Sequence, residues 1–170
     1  MEKVSRFLNG IMTAVITLFL VAMIVLVFLN VVLRYGFDSG ITESEELSRY
    51  LFVWIVFLGA MIAHKEKGHL GVDLLIGALP AKVQKVMYTI VNIIVIGVLV
   101  IVIDGSLKMV AINSNSYGPA TGIPLSILFY AGLLASVSMI ILSIMQTVKY
   151  VFYNEDAPVW AKIDKKGGKQ

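Results

Sequence analysis

Four long apolar runs organise the chain, at residues 7–33, about 47–63, 86–103 and 124–148. Runs of roughly 20 such residues cross a hydrocarbon core as helices. None shows the ten-residue alternation of a barrel strand, and a lipid-facing segment must close its own backbone hydrogen bonds, so helices are the solution. The second run is the exception. Residues 50–63 carry no charge but are too few to span alone, so that helix has to begin earlier and take Glu45, Glu46 and Arg49 with it. The pattern predicts an all-α integral membrane protein: a single membrane domain over 1–170, arranged as a bundle of helical hairpins. Its spans are expected at about 7–33, 43–63, 85–104 and 124–149, with an interfacial amphipathic helix at about 69–82 and a polar tail over 150–170.

The start of the second span holds the most polar chemistry. Thr42 and Glu45 match a capping box, in which an N-cap hydroxyl and an acid three residues on satisfy each other's backbone donors. A helix over 43–63 is about 31 Å long, enough to cross. Glu45 and Glu46 stand four and three residues before Arg49, on its face and in the favourable order of acid before base. Charges on a spanning helix are costly unless they are paired, face protein or reach the interface. Two readings stay open: the cluster satisfies itself, with Arg34 as a further local partner, or part of it pairs with another polypeptide.

Residues 64–85 are too polar at their start to span and too apolar later for a free loop. Leu70, Val72, Leu74, Leu75, Ile76 and Leu79 supply an apolar face, Pro80 ends or bends it, and Lys65, Lys67, Lys82 and Lys85 flank it. An interfacial helix fits, either a plain connector or a platform for lipid, with Lys65, Lys82 and Lys85 as head-group contacts. Further on, Asp104 and Lys108 share a helix face at four-residue spacing. Residues 113–124 are dense in turn formers, and Ala131, Gly132, Ala135, Ser136 and Ser143 give the last helix a stripe of small side chains for close packing.

Composition agrees with the class: 58% of the 170 residues are hydrophobic and 15% charged. The first run is far longer than the apolar core of a signal peptide and no cleavage pattern follows it, so it reads as a retained span. Eleven of the fourteen Lys and Arg fall in alternate segments, which places both termini in the cytoplasm and residues 36–42 and 105–123 outside. The net charge of +3 is then explained by anchoring to anionic lipid, with no role for nucleic acid. The absence of cysteine excludes thiol chemistry.

Chemistry for catalysis or independent transport is sparse. The interior of the first span has Thr13 and Thr17 but none of the carboxylates on which small four-helix exporters depend. His64 and His69 are five apart at the membrane edge, an unsuitable spacing for a metal or haem pair on one helix face. No internal repeat, nucleophile–base pair or phosphate loop is present, so no enzyme activity and no cofactor in this chain are expected. A self-assembling four-helix exporter and a haem-bearing anchor remain as rival classes.

The stretch EELSRYLFVWIVFLGAMIAHKEKGHLGVD, residues 45–73, resembles the small Q-type (DctQ-like) membrane subunit of TRAP transporters, the tripartite ATP-independent periplasmic systems. The shared features are the acidic pair, the Arg, a Trp within a helix ending in Gly-Ala, and a His before the polar exit. The resemblance covers the four-helix plan over roughly 5–153. It implies an accessory scaffold in the bacterial inner membrane, working with a large M-type permease subunit that holds the solute and sodium sites and with a periplasmic solute-binding protein. The solute is then a carboxylate, of the sialic acid or C4-dicarboxylate class, with a lean toward sialic acid. Carried onto this chain, Glu45, Glu46, Arg49 and Trp54 become candidates for the large-subunit interface. Asp38, Glu43, Asn115 and Tyr117 become candidates for docking the binding protein.

Overall fold

The computed structural model describes residues 2–65 and 81–152. They form four helices: α1 (Glu2–Phe37), α2 (Thr42–Lys65), α3 (Ala81–Ile112) and α4 (Ser126–Phe152). All four are long and apolar enough to cross a membrane. No strand is present among the described residues; the extended pairing there is an isolated antiparallel bridge between Tyr117 and Pro124. The expected interfacial helix, with Lys67 and the side chain of Lys82, and most of the expected tail lie outside the described residues.

α1, α2 and α3 extend past both ends of the spans expected for them, while α4 starts two residues later and ends three later than expected. α1 has 36 residues, about 54 Å. It stops where Asp38 takes a left-handed conformation (φ 48°) and the Ser39 N–H returns to the Leu33 carbonyl at 3.1 Å. Asp tolerates that conformation better than most side chains. α3 continues through Asp104 to Ile112 rather than ending at the charge. There the Lys108 ammonium bonds the Asp104 carboxylate at 2.5 Å, as the spacing suggested, and the paired charges do not interrupt the helix.

Among the described residues the main helix contacts run in one open sequence. α1 packs on α2, α2 on α4, and α4 on α3, so the spatial order is α1–α2–α4–α3. Both expected hairpins are present, α1 with α2 and α3 with α4, and they are joined through α2 and α4. The physical reason lies in which residues are small. Ala131, Ala135, Ser136 and Ser143 of α4 are all at most 2% exposed, which lets α4 approach two neighbours closely. At Gly132 a Cβ would stand 3.2 Å from the Phe57 ring of α2 and 3.4 Å from the Ser106 hydroxyl of α3, so three helices converge on that one position. α1 has no comparable stripe and touches mainly one partner, leaving Leu18, Ile24 and Phe28 exposed.

Candidate functional site

α2 is the polar centre of the row, and its side chains divide into four directions. At about 100° per residue, Glu46, Tyr50, Phe57 and His64 point toward α4 and the loop before it. Ser44 and Ser48 point roughly opposite, toward α1. Between those two sides lie two free faces. One carries Glu45, Arg49, Phe52, Val56, Ala60 and Ala63, all exposed and all within about 80° of arc. The other carries Glu43, Leu47 and Trp54, and there Trp54 is half-buried.

Both ends of α2 are fastened to its neighbours by hydrogen bonds. At the end bearing the two hairpin loops, the Ser44 hydroxyl donates to the Leu26 carbonyl of α1 at 2.7 Å, and the Ile41 N–H donates to Asn30 Oδ1 at 2.8 Å. On the other side, the Tyr50 hydroxyl donates to the Ile123 carbonyl at 3.1 Å. At the opposite end, His64 Nε2 and the Ser143 hydroxyl of α4 are 2.7 Å apart. The Lys65 ammonium donates to Asn9 Oδ1 of α1 at 2.5 Å, and Gln146 donates to the Lys65 carbonyl at 3.3 Å. Between these two sets of bonds, residues 51–63 of α2 are apolar. His64 therefore ties α2 to α4.

Glu46 does something the sequence did not disclose. It is buried, and its carboxylate accepts from the Ala120 N–H (3.0 Å), the Thr121 N–H (3.2 Å) and the Thr121 hydroxyl (2.9 Å). The loop it holds is folded on itself. Gly118 N–H meets the Ile123 carbonyl, Gly122 N–H meets the Gly118 carbonyl, and Leu125 N–H meets the Ser116 carbonyl, each at 2.9 Å. Gly122 supplies a left-handed turn (φ 68°). Gly118 lies so close to the Glu46 carboxylate that any Cβ there would overlap it.

The four interface candidates therefore do not form one surface. Glu46 is committed to the loop, Trp54 stands about 140° around the helix from Arg49, and Glu45 and Arg49 share the exposed face. Among the described residues no carboxylate lies within 4 Å of Arg49 and its guanidinium makes no hydrogen bond, so the cluster forms no contact ion pair, although the Arg49 charge acts on the Glu46 carboxylate from farther off. The capping box is corrected too. Among the described residues neither the Thr42 hydroxyl nor the Glu45 carboxylate makes a hydrogen bond, and the Ser44 N–H goes to the Ile41 carbonyl at 3.2 Å. One donor just before the helix, the Ile41 N–H, is served across the hairpin by Asn30.

The docking candidates all lie at the hairpin-loop end. Asp38 occupies the α1–α2 turn and Glu43 the first turn of α2, while Asn115 and Tyr117 are on the Glu46-held loop, Tyr117 59% exposed. Of the lipid candidates, Lys65 is engaged by Asn9 and Lys85 is half-buried.

Four helices long and apolar enough to span a membrane, several of whose polar groups fasten helices and one loop, define a small helical membrane protein. The family model for "Tripartite ATP-independent periplasmic transporters, DctQ component" matches residues 23–152. A Haemophilus influenzae protein named as a TRAP transporter small permease is 35% identical over 158 residues, 91% of this chain and 98% of its own length. The Vibrio cholerae C4-dicarboxylate TRAP transporter small permease protein DctQ is 36% identical over 92 residues, 54% of this chain and 39% of that protein. The Haemophilus influenzae sialic acid TRAP transporter permease protein SiaT is 31% identical over 94 residues, 55% of this chain but 14% of SiaT. The chain belongs to the DctQ family of TRAP transporter small permease subunits. It is accordingly an integral protein of the bacterial inner membrane and a transport component, not an enzyme.

Proposed function

We propose that this chain is the stationary scaffold subunit of a TRAP transporter, packed against a large permease subunit that carries the solute and sodium sites and receives solute from a periplasmic binding protein. The observation that carries the reading is the open chain of helix contacts, α1–α2–α4–α3, which leaves long apolar faces available to a partner. The SiaT match supports physical association. There, a stretch like this chain makes up 14% of one longer permease polypeptide. The alternating Lys and Arg count favours cytoplasmic termini, which puts the Glu46-held loop outside, where Asp38, Glu43, Asn115 and Tyr117 face an incoming binding protein. A carboxylate solute, sialic acid or a C4-dicarboxylate, follows from the names of relatives and from no residue of this chain.

The test is isolation of the tagged chain from its native membrane. A large multi-span permease is expected to accompany it in fixed proportion. Recovery as an assembly of this chain alone would contradict the scaffold role and favour the small-exporter class.

A further inference from the structure

The exposed surfaces of the row are not alike. α3 presents Ile90, Ile94 and Ile101, and α4 presents Leu134, Val137 and Ile141, all exposed, large and uncharged. Such faces are suited to acyl chains. The Glu45–Arg49–Phe52–Val56–Ala60–Ala63 face of α2 differs in two independent ways. It carries an arginine seven residues inside the helix, about 10 Å below its start, where charges on spanning helices turn to protein or to a partner charge. Below that charge its side chains shrink to Ala60 and Ala63, which admit close approach of another helix backbone.

Arg49 opens onto a cleft of about 510 Å³ between α1 and α2. Asn30, Arg34, Glu45 and Phe52 also line it, so two guanidinium groups meet one carboxylate. Arg34 has a second acid close by, since it shares the adjoining cleft at the turn with Asp38. Arg49 shares a further cleft with Glu46, but that carboxylate is held by residues 120 and 121, so among the described residues no acid of this chain is in contact with the Arg49 guanidinium. A guanidinium matches a carboxylate in a planar, bidentate fashion. Resting on the scaffold reading above, we propose that this arginine face of α2 is the seam against the large permease subunit, and that the large subunit brings an acidic side chain to Arg49. Trp54 and Glu46 are then excluded from that seam, one by direction and the other by its commitment to the loop.

The chain has no cysteine, so single positions can be labelled in the intact complex. Val56→Cys, Leu58→Cys and Val137→Cys, each carrying a maleimide benzophenone and irradiated in the membrane, sample the arginine face, the opposite face of α2 and the free face of α4. A covalent adduct with the large subunit is expected from Val56→Cys, at least tenfold above the other two. Adducts from Leu58→Cys or Val137→Cys without one from Val56→Cys overturn the seam and leave the scaffold reading standing. Adducts from none of the three overturn both. For the charge, Arg49→Glu is expected to lower recovery of the large subunit at least tenfold, with Arg49→Lys retaining more, and one acid-to-Lys replacement in the large subunit's spans restoring it. Full recovery with Arg49→Glu, or loss of a bound phospholipid from that variant with no restoring replacement, overturns the acidic partner and assigns Arg49 to a lipid phosphate.

Discussion

Glu46 and Gly118 are the residues on which the hairpin-loop end depends. A carboxylate that accepts three hydrogen bonds from residues 120 and 121 fixes a turn that is otherwise rich in conformational freedom, and the contact is close enough that only glycine fits at 118. Glu46→Ala and Gly118→Ala are each expected to lower the thermal midpoint of the chain by a few degrees and to expose residues 113–125 to protease. Their effects should fall short of additive in the double variant, because both break the same joint. Additive midpoints with wild-type cleavage would show that Glu46 does not hold the loop. Sequence reading placed Glu46 correctly near the start of α2 and put its polar neighbours on one face. It missed the loop because the partners are 74 and 75 residues away, and periodicity carries no information about such pairs. The missing Arg49 contact has a related reason: spacing allows an ion pair between neighbouring turns, but the Glu46 carboxylate is turned to three donors of the distant loop.

Among the elements, α4 is the most legible. Its small residues stood out in the sequence, and in the structure they are the ones buried between α2 and α3. Ala135→Leu should overpack that joint and destabilise by about 1–3 kcal/mol, whereas Val137→Ala on the free face should change stability by less than about 0.5 kcal/mol. Unfolding in a denaturing detergent series compares the two directly. Ser143→Ala removes the bond to His64, and interhelical hydrogen bonds in membranes average about 0.6 kcal/mol, so a small loss is expected there. A large loss would mean that this tie does more than close one end of the row. Helix ends were less legible than helix identities. α3 outruns its expected span because an i, i+4 ion pair lets charged residues continue a helix past an apolar run.

At the scale of the molecule, four spans were readable from hydropathy alone, and their arrangement was not. Each helix is apolar on nearly every side, so no stripe announces which neighbour it will choose, and a row satisfies the pattern as well as a bundle does. What decides is close packing at a few small side chains, and those lie on α4 rather than on α1. An open row also leaves much of its apolar surface to be covered by lipid or partner. The chain in complex is therefore expected to melt well above the isolated chain at equal detergent, since a partner that binds only the folded form stabilises it by mass action. Equal midpoints would indicate that no partner contributes to its fold. The scaffold role itself is tested most directly by solute uptake in liposomes. The purified chain alone should move no sialic acid or C4-dicarboxylate, and adding the large permease subunit and the binding protein should give uptake that requires a sodium gradient. Uptake by the isolated chain would contradict the account.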